Sequence, residues 1–270
     1  MSLWRPKAGA ARPPLVLGLS AQRLAWASSV PQARSPSIVT AAHGDVTQAF
    51  GNALQGSHVD VVAGNDIALH WLQTPPSSVS SFDELQLVAS ARCAHLYGGT
   101  PQDWWVTGDW SVSHPFVCAA LPRSVVASLQ EQLRKLGLGA RWHTAWGLVC
   151  SLSAGAFPSE GWSAMRSPDR VMLWHCRAGR VNRLATLAVD QHAVWPAPAR
   201  LALQHMQVEA SRGGALLSGP LHWLHLGNTQ ESQNAPGIHP VIVKLPEAMA
   251  SIRCEASSAM GLGALLAGGH

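Results

Sequence analysis

Few side chains in this sequence could do chemistry, and the first pair to examine is His222 and His225, in the segment HWLHL. Imidazole nitrogens are common metal ligands. The surrounding residues predict a β-strand, and side chains three positions apart on a strand point to opposite faces. The two histidines therefore cannot share one ion, and we predict no metal site in this chain.

The common motifs for nucleotides and nucleophiles are missing. No G-x-x-x-x-G-K-S/T segment occurs, which excludes a P-loop. The segment Ser151–Gly155, SLSAG, comes closest to the nucleophile motif G-x-S-x-G but lacks its first glycine. Gly98, Gly99 and Thr100 could contact a phosphate, but paired glycines after a helical segment are typical of a helix end. We therefore predict no catalytic residue.

Acidic and thiol side chains are too few and too scattered to indicate acid–base or redox chemistry. The chain has fifteen Asp and Glu residues, and Asp60 and Asp66 flank a predicted hairpin, where polar residues are ordinary. Its five cysteines are far apart and form no C-x-x-C pair. This pattern indicates reduced, mostly buried thiols of a cytosolic protein rather than a disulfide framework or a zinc site.

The composition is that of a globular protein with room for one large domain or two small ones. Of 270 residues, 47% are hydrophobic and only 13% are charged, which excludes ordinary disorder. The net charge of +4 comes without the Lys and Arg runs that follow a nucleic-acid backbone, so we expect no nucleic-acid partner. No apolar run reaches the ~20 residues that a membrane-spanning helix requires.

The N-terminal segment allows two interpretations. Residues 1–14 are basic and rich in Pro and Ala, and we predict a disordered lead there. Alternatively, basic residues ahead of Leu15–Leu19 and the small residues of Ala25–Ala27 resemble a signal peptide, which would make this an exported binding protein. Gln22 and Arg23 interrupt the apolar stretch and weigh against export.

A capping box marks the start of a helix over Ser81–Tyr97. The Ser81 side chain can accept the backbone N–H of Glu84, and the Glu84 side chain can accept that of Ser81. An apolar stripe at helical spacing and two closing glycines complete the helix. A Trp-rich strand follows at Trp104–Thr107, and we predict that it pairs with a strand at Phe116–Leu121.

The remaining segments predict an α/β arrangement. Short turns join two predicted hairpins, Val59–Ala63 with Ile67–Leu72 and Val171–Cys176 with Val181–Val189. Further along, Ala140–Trp146 predicts a strand. Runs of strands and single helices alternate twice along the chain, and a sheet covered by helices is the natural way to bury both. We therefore predict two similar α/β lobes, residues 15–155 and 169–268.

Three stretches carry a family resemblance. Phe82–Trp105 is a helix that ends in Tyr-Gly before a Trp strand, Phe116–Leu136 is a Cys/Ala strand leading into a Leu-rich helix, and Ala256–Gly268 is a small-residue closing helix. In these features the chain resembles the actin-like proteins of bacterial envelope assembly platforms. These are the PilM type of type IV pili and the cytoplasmic domain of the GspL type of type II secretion. The resemblance implies an actin-like, ribonuclease H-like fold of two lobes, with mixed sheets covered by helices.

The nucleotide motifs of actin-like ATPases look degenerate. Those enzymes hold metal and phosphate with a D-x-G turn, which the resemblance places on Gly18–Ser20, with Gly18 where the Asp should be. It places a second phosphate turn on His175–Gly179, also without an Asp, and the adenosine-side glycines near Gly219. Mg²⁺ usually needs carboxylate ligands, so the resemblance implies that ATP hydrolysis is lost. We expect no cofactor. ATP held by backbone N–H groups at Gly18, Ser20 and Gly219, or an active ATPase of the same fold, is the alternative.

The resemblance also implies a protein partner. In the PilM type this is a short cytoplasmic peptide of a membrane protein, and in the GspL type it is the assembly ATPase. We expect a non-catalytic scaffold, peripheral to the cytoplasmic face of the bacterial inner membrane, that binds a membrane-anchored protein of a pilus or secretion platform. Trp104, Trp105 and Trp110 are candidate partner contacts, because Trp often anchors interfaces. Core packing is the alternative for the same residues.

Overall fold

A computed structural model describes the chain in eight stretches: residues 15–28, 37–41, 46–50, 57–152, 159–213, 219–226, 236–243 and 258–263. In these stretches the chain forms three β-sheets covered by helices. The predicted lead at residues 1–14 lies outside the described residues.

The first sheet has five strands: β1 (Leu15–Leu19), β2 (Leu24–Ser28), β3 (Ser37–Ala41), β4 (His58–Ala63) and β8 (Gly139–Thr144). Their order across the sheet is β3-β2-β1-β4-β8. The first three strands form an antiparallel meander, while β4 is parallel to both β1 and β8. Parallel neighbours need a long connection, and here the connection from β4 to β8 contains a second sheet.

This inserted sheet has three antiparallel strands: β5 (Leu69–Gln73), β6 (Trp104–Gly108) and β7 (Phe116–Pro122), in the order β5-β7-β6. Helix α2 (Phe82–Tyr97) covers one face with its buried stripe of Leu85, Ala89 and Cys93. Its capping box is present, and the predicted pairing of the Trp strand with β7 is confirmed.

The third sheet has five strands: β9 (Gly161–Ser167), β10 (Arg170–Arg177), β11 (Arg180–Ala188), β12 (Leu221–Leu226) and β13 (Ile238–Val243). Its order, β11-β10-β9-β12-β13, repeats the order of the first sheet. The strand directions repeat as well, with an antiparallel meander followed by two parallel strands. The prediction of two similar α/β lobes is therefore confirmed.

Helices cover both large sheets: α1 (Val46–Phe50), α3 (Arg123–Lys135), α4 (Ala145–Leu152), α5 (Ala197–Gly213) and α6 (258–263). Helix α3 buries an apolar stripe in the main core, and Gly137, at φ 71°, allows the chain to turn after the helix. Helix α5 packs on the third sheet. Among the described helices, none is long and apolar enough to cross a membrane.

The two lobes share one hydrophobic core. Trp146 of α4 lies edge-on to Trp174 of β10, with ring centroids 5.9 Å apart, and His70 of β5 lies 5.4 Å from Trp146. Helix α6 comes from the end of the chain yet packs on the first sheet. A Cβ added at Gly263 would fall 2.6 Å from Val16 Cγ1 and 2.7 Å from Val62 Cγ2.

Two predicted strand assignments are wrong. Val59–Ala63 and Ile67–Leu72 do not form a hairpin, because β4 lies between β1 and β8 while β5 pairs with β7. Residues 64–66 instead carry the chain from one sheet into another. The predicted strand Ala140–Trp146 ends at Thr144, since Ala145 begins α4.

The predicted second lobe, residues 169–268, starts too late for its sheet. Strand β9 precedes residue 169 and pairs with β10. Apart from this strand, the lobe bounds 15–155 and 169–268 remain a prediction.

Candidate functional site

The turn between β1 and β2, residues 20–23, is closed by its own hydrogen bonds. The Ser20 N–H donates to the Arg23 carbonyl oxygen at 2.8 Å, and the Arg23 N–H donates to Ser20 Oγ at 3.0 Å. The Gln22 N–H also donates to Ser20 Oγ, at 3.4 Å. The buried Ser20 side chain therefore organises the turn from inside.

The remaining N–H of this turn, that of Ala21, donates to Asp66 Oδ2 at 2.8 Å. Asp66 lies just after β4, and the Gly64 N–H fixes that segment by donating to the Leu19 carbonyl oxygen at 2.7 Å. The other carboxylate oxygen, Asp66 Oδ1, is buried and accepts no hydrogen bond from the described residues. Burial raises the pKa of Asp66, although the hydrogen bond from Ala21 and the charge of Arg170 lower it.

The counterpart of this turn in the second lobe is the β9–β10 turn, residues 167–170, because β9 and β10 hold the places of β1 and β2. There, Asp169 accepts two hydrogen bonds from the Arg170 guanidinium, at 2.9 and 2.7 Å. The charges of both residues act on the pKa of Asp66. The β9–β10 turn therefore lies close enough to Asp66 to act on it electrostatically, and we call the region around the two turns the cleft.

Trp104 and Trp105 lie on opposite faces of the inserted sheet, and both are half-buried. Trp104 Nε1 donates to the Gly98 carbonyl oxygen at 3.0 Å, and the ring lies beside Tyr97. Trp105 packs against Trp142 of β8, with ring centroids 5.8 Å apart. Both side chains therefore contribute to packing, one toward α2 and one toward the main core.

Trp110 lies outside the strand, in an aromatic cluster at the start of α2. Its ring centroid is 5.1 Å from that of Phe82 and 5.6 Å from that of Phe116. Phe82 is 54% exposed. We name these two contacting side chains, Phe82 and Trp110, the Phe82 surface. In the described part of the chain, β6 beside it has a strand neighbour on one side only, namely β7.

Two solved structures share the overall fold. The first is the cytoplasmic domain of EpsL, an inner membrane component of the type II secretion system of Vibrio cholerae. It matches with a TM-score of 0.52 and 12% identity over 92% of this chain and 94% of that chain. The second is the PilM–PilN type IV pilus biogenesis complex, at a TM-score of 0.53 and 15% identity over 95% of this chain and 99% of that chain. This chain has the actin-like fold. No protein-family model and no curated protein sequence matches it.

Within the actin-like fold, the predicted second phosphate turn at His175–Gly179 is wrong. Those residues form the β10–β11 turn, at the opposite end of β10 from residues 167–170. Ala178 and Gly179 have positive φ values there, 51° and 72°, as a tight hairpin turn requires. The repeated strand order, which single segments do not reveal, makes residues 167–170 the counterpart of the β1–β2 turn, and this turn contains Asp169.

The structure brings together two of the three candidate nucleotide contacts. Gly18 lies inside β1, between its partners Ala25 and Val62, and Ser20 lies in the turn that follows. Gly219 precedes β12, at the end of the third sheet where β9 begins, because β12 runs parallel to β9. Gly219 therefore lies at the far end of that sheet from residues 167–170.

The residues around the β1–β2 turn do not fit a magnesium nucleotide. Position 18 has no carboxylate to hold the metal, and the Ala21 N–H that could face a phosphate already binds a carboxylate. A phosphate placed there would meet the negative charge of Asp66 rather than a set of free donors.

Several buried polar atoms near the contact between the lobes accept or donate no hydrogen bond within the described structure: His70 Nε2, Trp146 Nε1, Ser163 Oγ and Ser167 Oγ. Burial lowers the pKa of His70 to about 4, so its ring is neutral at physiological pH. Sequence reasoning missed His70 and interpreted Asp66 as an ordinary turn residue, because neither lies in a motif and each depends on a partner distant in sequence.

His222, for which the sequence predicted no metal site, faces His239 of the neighbouring strand, with ring centroids 5.5 Å apart. The described residues contain no group of three or more His, Cys, Asp or Glu side chains that could hold an ion.

Proposed function

We propose that this chain is a non-catalytic, actin-like scaffold of a type II secretion or type IV pilus assembly platform, acting at the cytoplasmic face of the bacterial inner membrane. The observation that supports it is the β1–β2 turn, whose N–H groups find acceptors within the chain and whose metal-side position is Gly18. The fold shared with the EpsL domain and the PilM–PilN complex supports the setting.

Under this proposal the protein works without a nucleotide. We expect isothermal titration calorimetry with ATP and Mg²⁺ to give no binding in the micromolar range, because position 18 has no carboxylate, the Ala21 N–H already binds Asp66, and Asp169 is paired with Arg170. Micromolar, Mg²⁺-dependent binding would contradict the proposal and favour the alternative, an active ATPase of the same fold.

The partner we propose is an extended segment of a membrane-anchored platform protein. The edge of β6 could accept such a segment by adding backbone hydrogen bonds, with its apolar side chains on the Phe82 surface. Arg123 already donates to the Trp104 carbonyl oxygen at 3.0 Å, so pairing would begin beyond that residue, toward Trp110. Of the three candidate tryptophans, Trp110 therefore has the strongest claim to be a partner contact.

Trp110→Ala and Leu87→Ala form a matched pair for testing this surface. Leu87 is 68% exposed on the same helix as Phe82 but on the side away from the buried stripe. Tagged wild-type protein should co-purify a pilus or secretion membrane protein from detergent-solubilised membranes of the parent bacterium. We expect L87A to retain this partner and W110A to lose at least ~2 kcal/mol of binding, about 30-fold in affinity.

Thermal unfolding of each variant separates lost binding from lost folding. If W110A unfolds at the wild-type temperature and still retains the partner at full affinity, the Phe82 surface is not the docking site.

A further inference from the structure

The Asp66 carboxylate accepts the N–H of Ala21, the one N–H of the β1–β2 turn that finds no acceptor within the turn itself. We propose that Asp66 occupies the anion position of the β1–β2 turn, so that the chain supplies its own substitute for a bound phosphate. The inference rests on the proposed lack of nucleotide binding and does not depend on which partner the protein binds.

The Ala21 N–H and the Asp66 carboxylate have the geometry of a bound anion. Backbone N–H groups in tight turns can bind anions, and a carboxylate oxygen is, like a phosphate oxygen, a negatively charged acceptor. Asp66 Oδ2 lies 2.8 Å from the Ala21 nitrogen, the distance of a strong, charge-assisted hydrogen bond. Asp66 is more than forty residues from the turn in sequence, so its placement is a product of the fold and not of local chain geometry.

Backbone hydrogen bonds hold the segment that contains Asp66 in place. The Gly64 N–H donates to the Leu19 carbonyl oxygen at 2.7 Å, and the Ile67 and Ala68 N–H groups donate back to the Gly64 carbonyl oxygen at 3.2 and 2.9 Å. This folded corner connects β4 to β5 and presents the carboxylate toward the turn. The segment that connects β4 to β5 therefore supplies the carboxylate that binds the turn.

A cation of the second lobe, Arg170, lies near Asp66. Arg170, in the β9–β10 turn, is close enough to Asp66 to lower its pKa. A cation from the second lobe thus acts electrostatically on the anion held by the first lobe. Arg170 also pairs with Asp169, so the group across the cleft is a mixed charge cluster.

Removing the carboxylate while leaving the turn and Arg170 in place should open a site for an external anion. The test measures the thermal unfolding of wild type, Asp66→Ala and Asp103→Ala in increasing inorganic phosphate, with ionic strength held constant by chloride. Asp103 is the matched control, because it accepts the Thr100 N–H at 2.7 Å in an exposed turn away from the cleft.

We expect phosphate to raise the unfolding temperature of D66A by about 2 °C or more and to leave wild type and D103A unchanged. No phosphate-dependent shift in D66A, or an equal shift in wild type, would overturn the inference. If D66A does not fold, Asp66→Asn replaces it, with amide hydrogen exchange as the measurement. Exchange at Ala21 should then be several-fold faster than in wild type, because a neutral acceptor holds the N–H less strongly, while exchange at Thr100 stays unchanged. An unchanged rate at Ala21 would equally overturn the inference.

Discussion

His70 is the residue whose protonation state the fold constrains most. Its side chain is 5% exposed, its Nε2 has no hydrogen-bond partner in the described structure, and burial lowers its pKa from 6.5 to about 4. A protonated ring would be an unpaired buried charge against Trp146, with the cation Arg170 nearby. Protonation therefore favours the unfolded chain.

The sign of the pH effect follows from this difference. Between pH 6.5 and 4 the unfolded chain binds more protons at His70 than the folded one, so stability falls as the pH drops through that window. From pH 7 to pH 5 we expect His70 to contribute a loss of about 2 kcal/mol in the free energy of unfolding. The variant His70→Phe retains a ring beside Trp146 but cannot bind this proton. Urea titrations of the variant should therefore lack the fall in the free energy of unfolding that His70 causes. The two proteins should follow the same slope above pH 7, and an unaltered slope between pH 5 and 7 in H70F would contradict the prediction.

Neither His70 nor Asp66 could be identified as a cleft residue from the sequence. A turn aspartate and a strand histidine are ordinary by composition, and their roles come from Ala21 and Trp146, which local patterns do not connect to them. Trp104 and Trp105 illustrate the same limit, since alternation on a strand predicts opposite faces but not that both faces are covered.

Helix α2 begins at a capping box formed by Ser81 and Glu84. The Glu84 N–H donates to Ser81 Oγ at 3.2 Å, and the Ser81 N–H donates to Glu84 Oε2 at 3.2 Å. We expect Ser81→Ala to lower the free energy of unfolding by about 1 kcal/mol, measured by urea denaturation. Ser90→Ala is the control on the same helix. Ser90 Oγ only donates back to the Gln86 carbonyl oxygen, and alanine is the better helix former, so S90A should be neutral or stabilising. Equal losses in both variants would show that the cap contributes nothing specific.

Local signals predicted elements well where the cause of the element is local. The start of α2 and the turn at Ala178–Gly179 both depend on residues within a few positions of each other. The hairpin at residues 64–66 failed because strand pairing is decided by tertiary neighbours. Strand β4 has both edges occupied, by β1 and β8, and β8 is remote in sequence.

For the whole molecule, the sequence predicted two similar lobes but not the order of the strands in their sheets. Two alternations of strands and helices predict two lobes, but the order of the strands decides which turns are equivalent in the two sheets. That order makes residues 167–170 the counterpart of the β1–β2 turn and places His175–Gly179 at the other end of β10. The location of the candidate site therefore follows from the strand order more than from any sequence motif.

The return of helix α6 to the first sheet ties the end of the chain to its beginning, and Gly263 makes this contact possible. Alanine in a helix is ordinarily preferred to glycine by up to ~1 kcal/mol. At position 263, however, the added Cβ would lie within 2.7 Å of methyl groups on two branched side chains, Val16 and Val62, which are fixed in adjacent strands. Overpacking of this kind costs about 1–3 kcal/mol, so it should outweigh the gain in helix propensity.

We therefore expect Gly263→Ala to lower the free energy of unfolding by about 1–2 kcal/mol in urea denaturation. Val62→Ala removes one of the two methyl contacts, and it serves as the partner in a double-mutant cycle. The double variant should lose less stability than the sum of the two single losses, because G263A then meets a gap where a methyl group was. Strictly additive losses, or a G263A variant more stable than wild type, would mean that α6 does not pack on β1 and β4. The first lobe would then have to complete its core without the end of the chain.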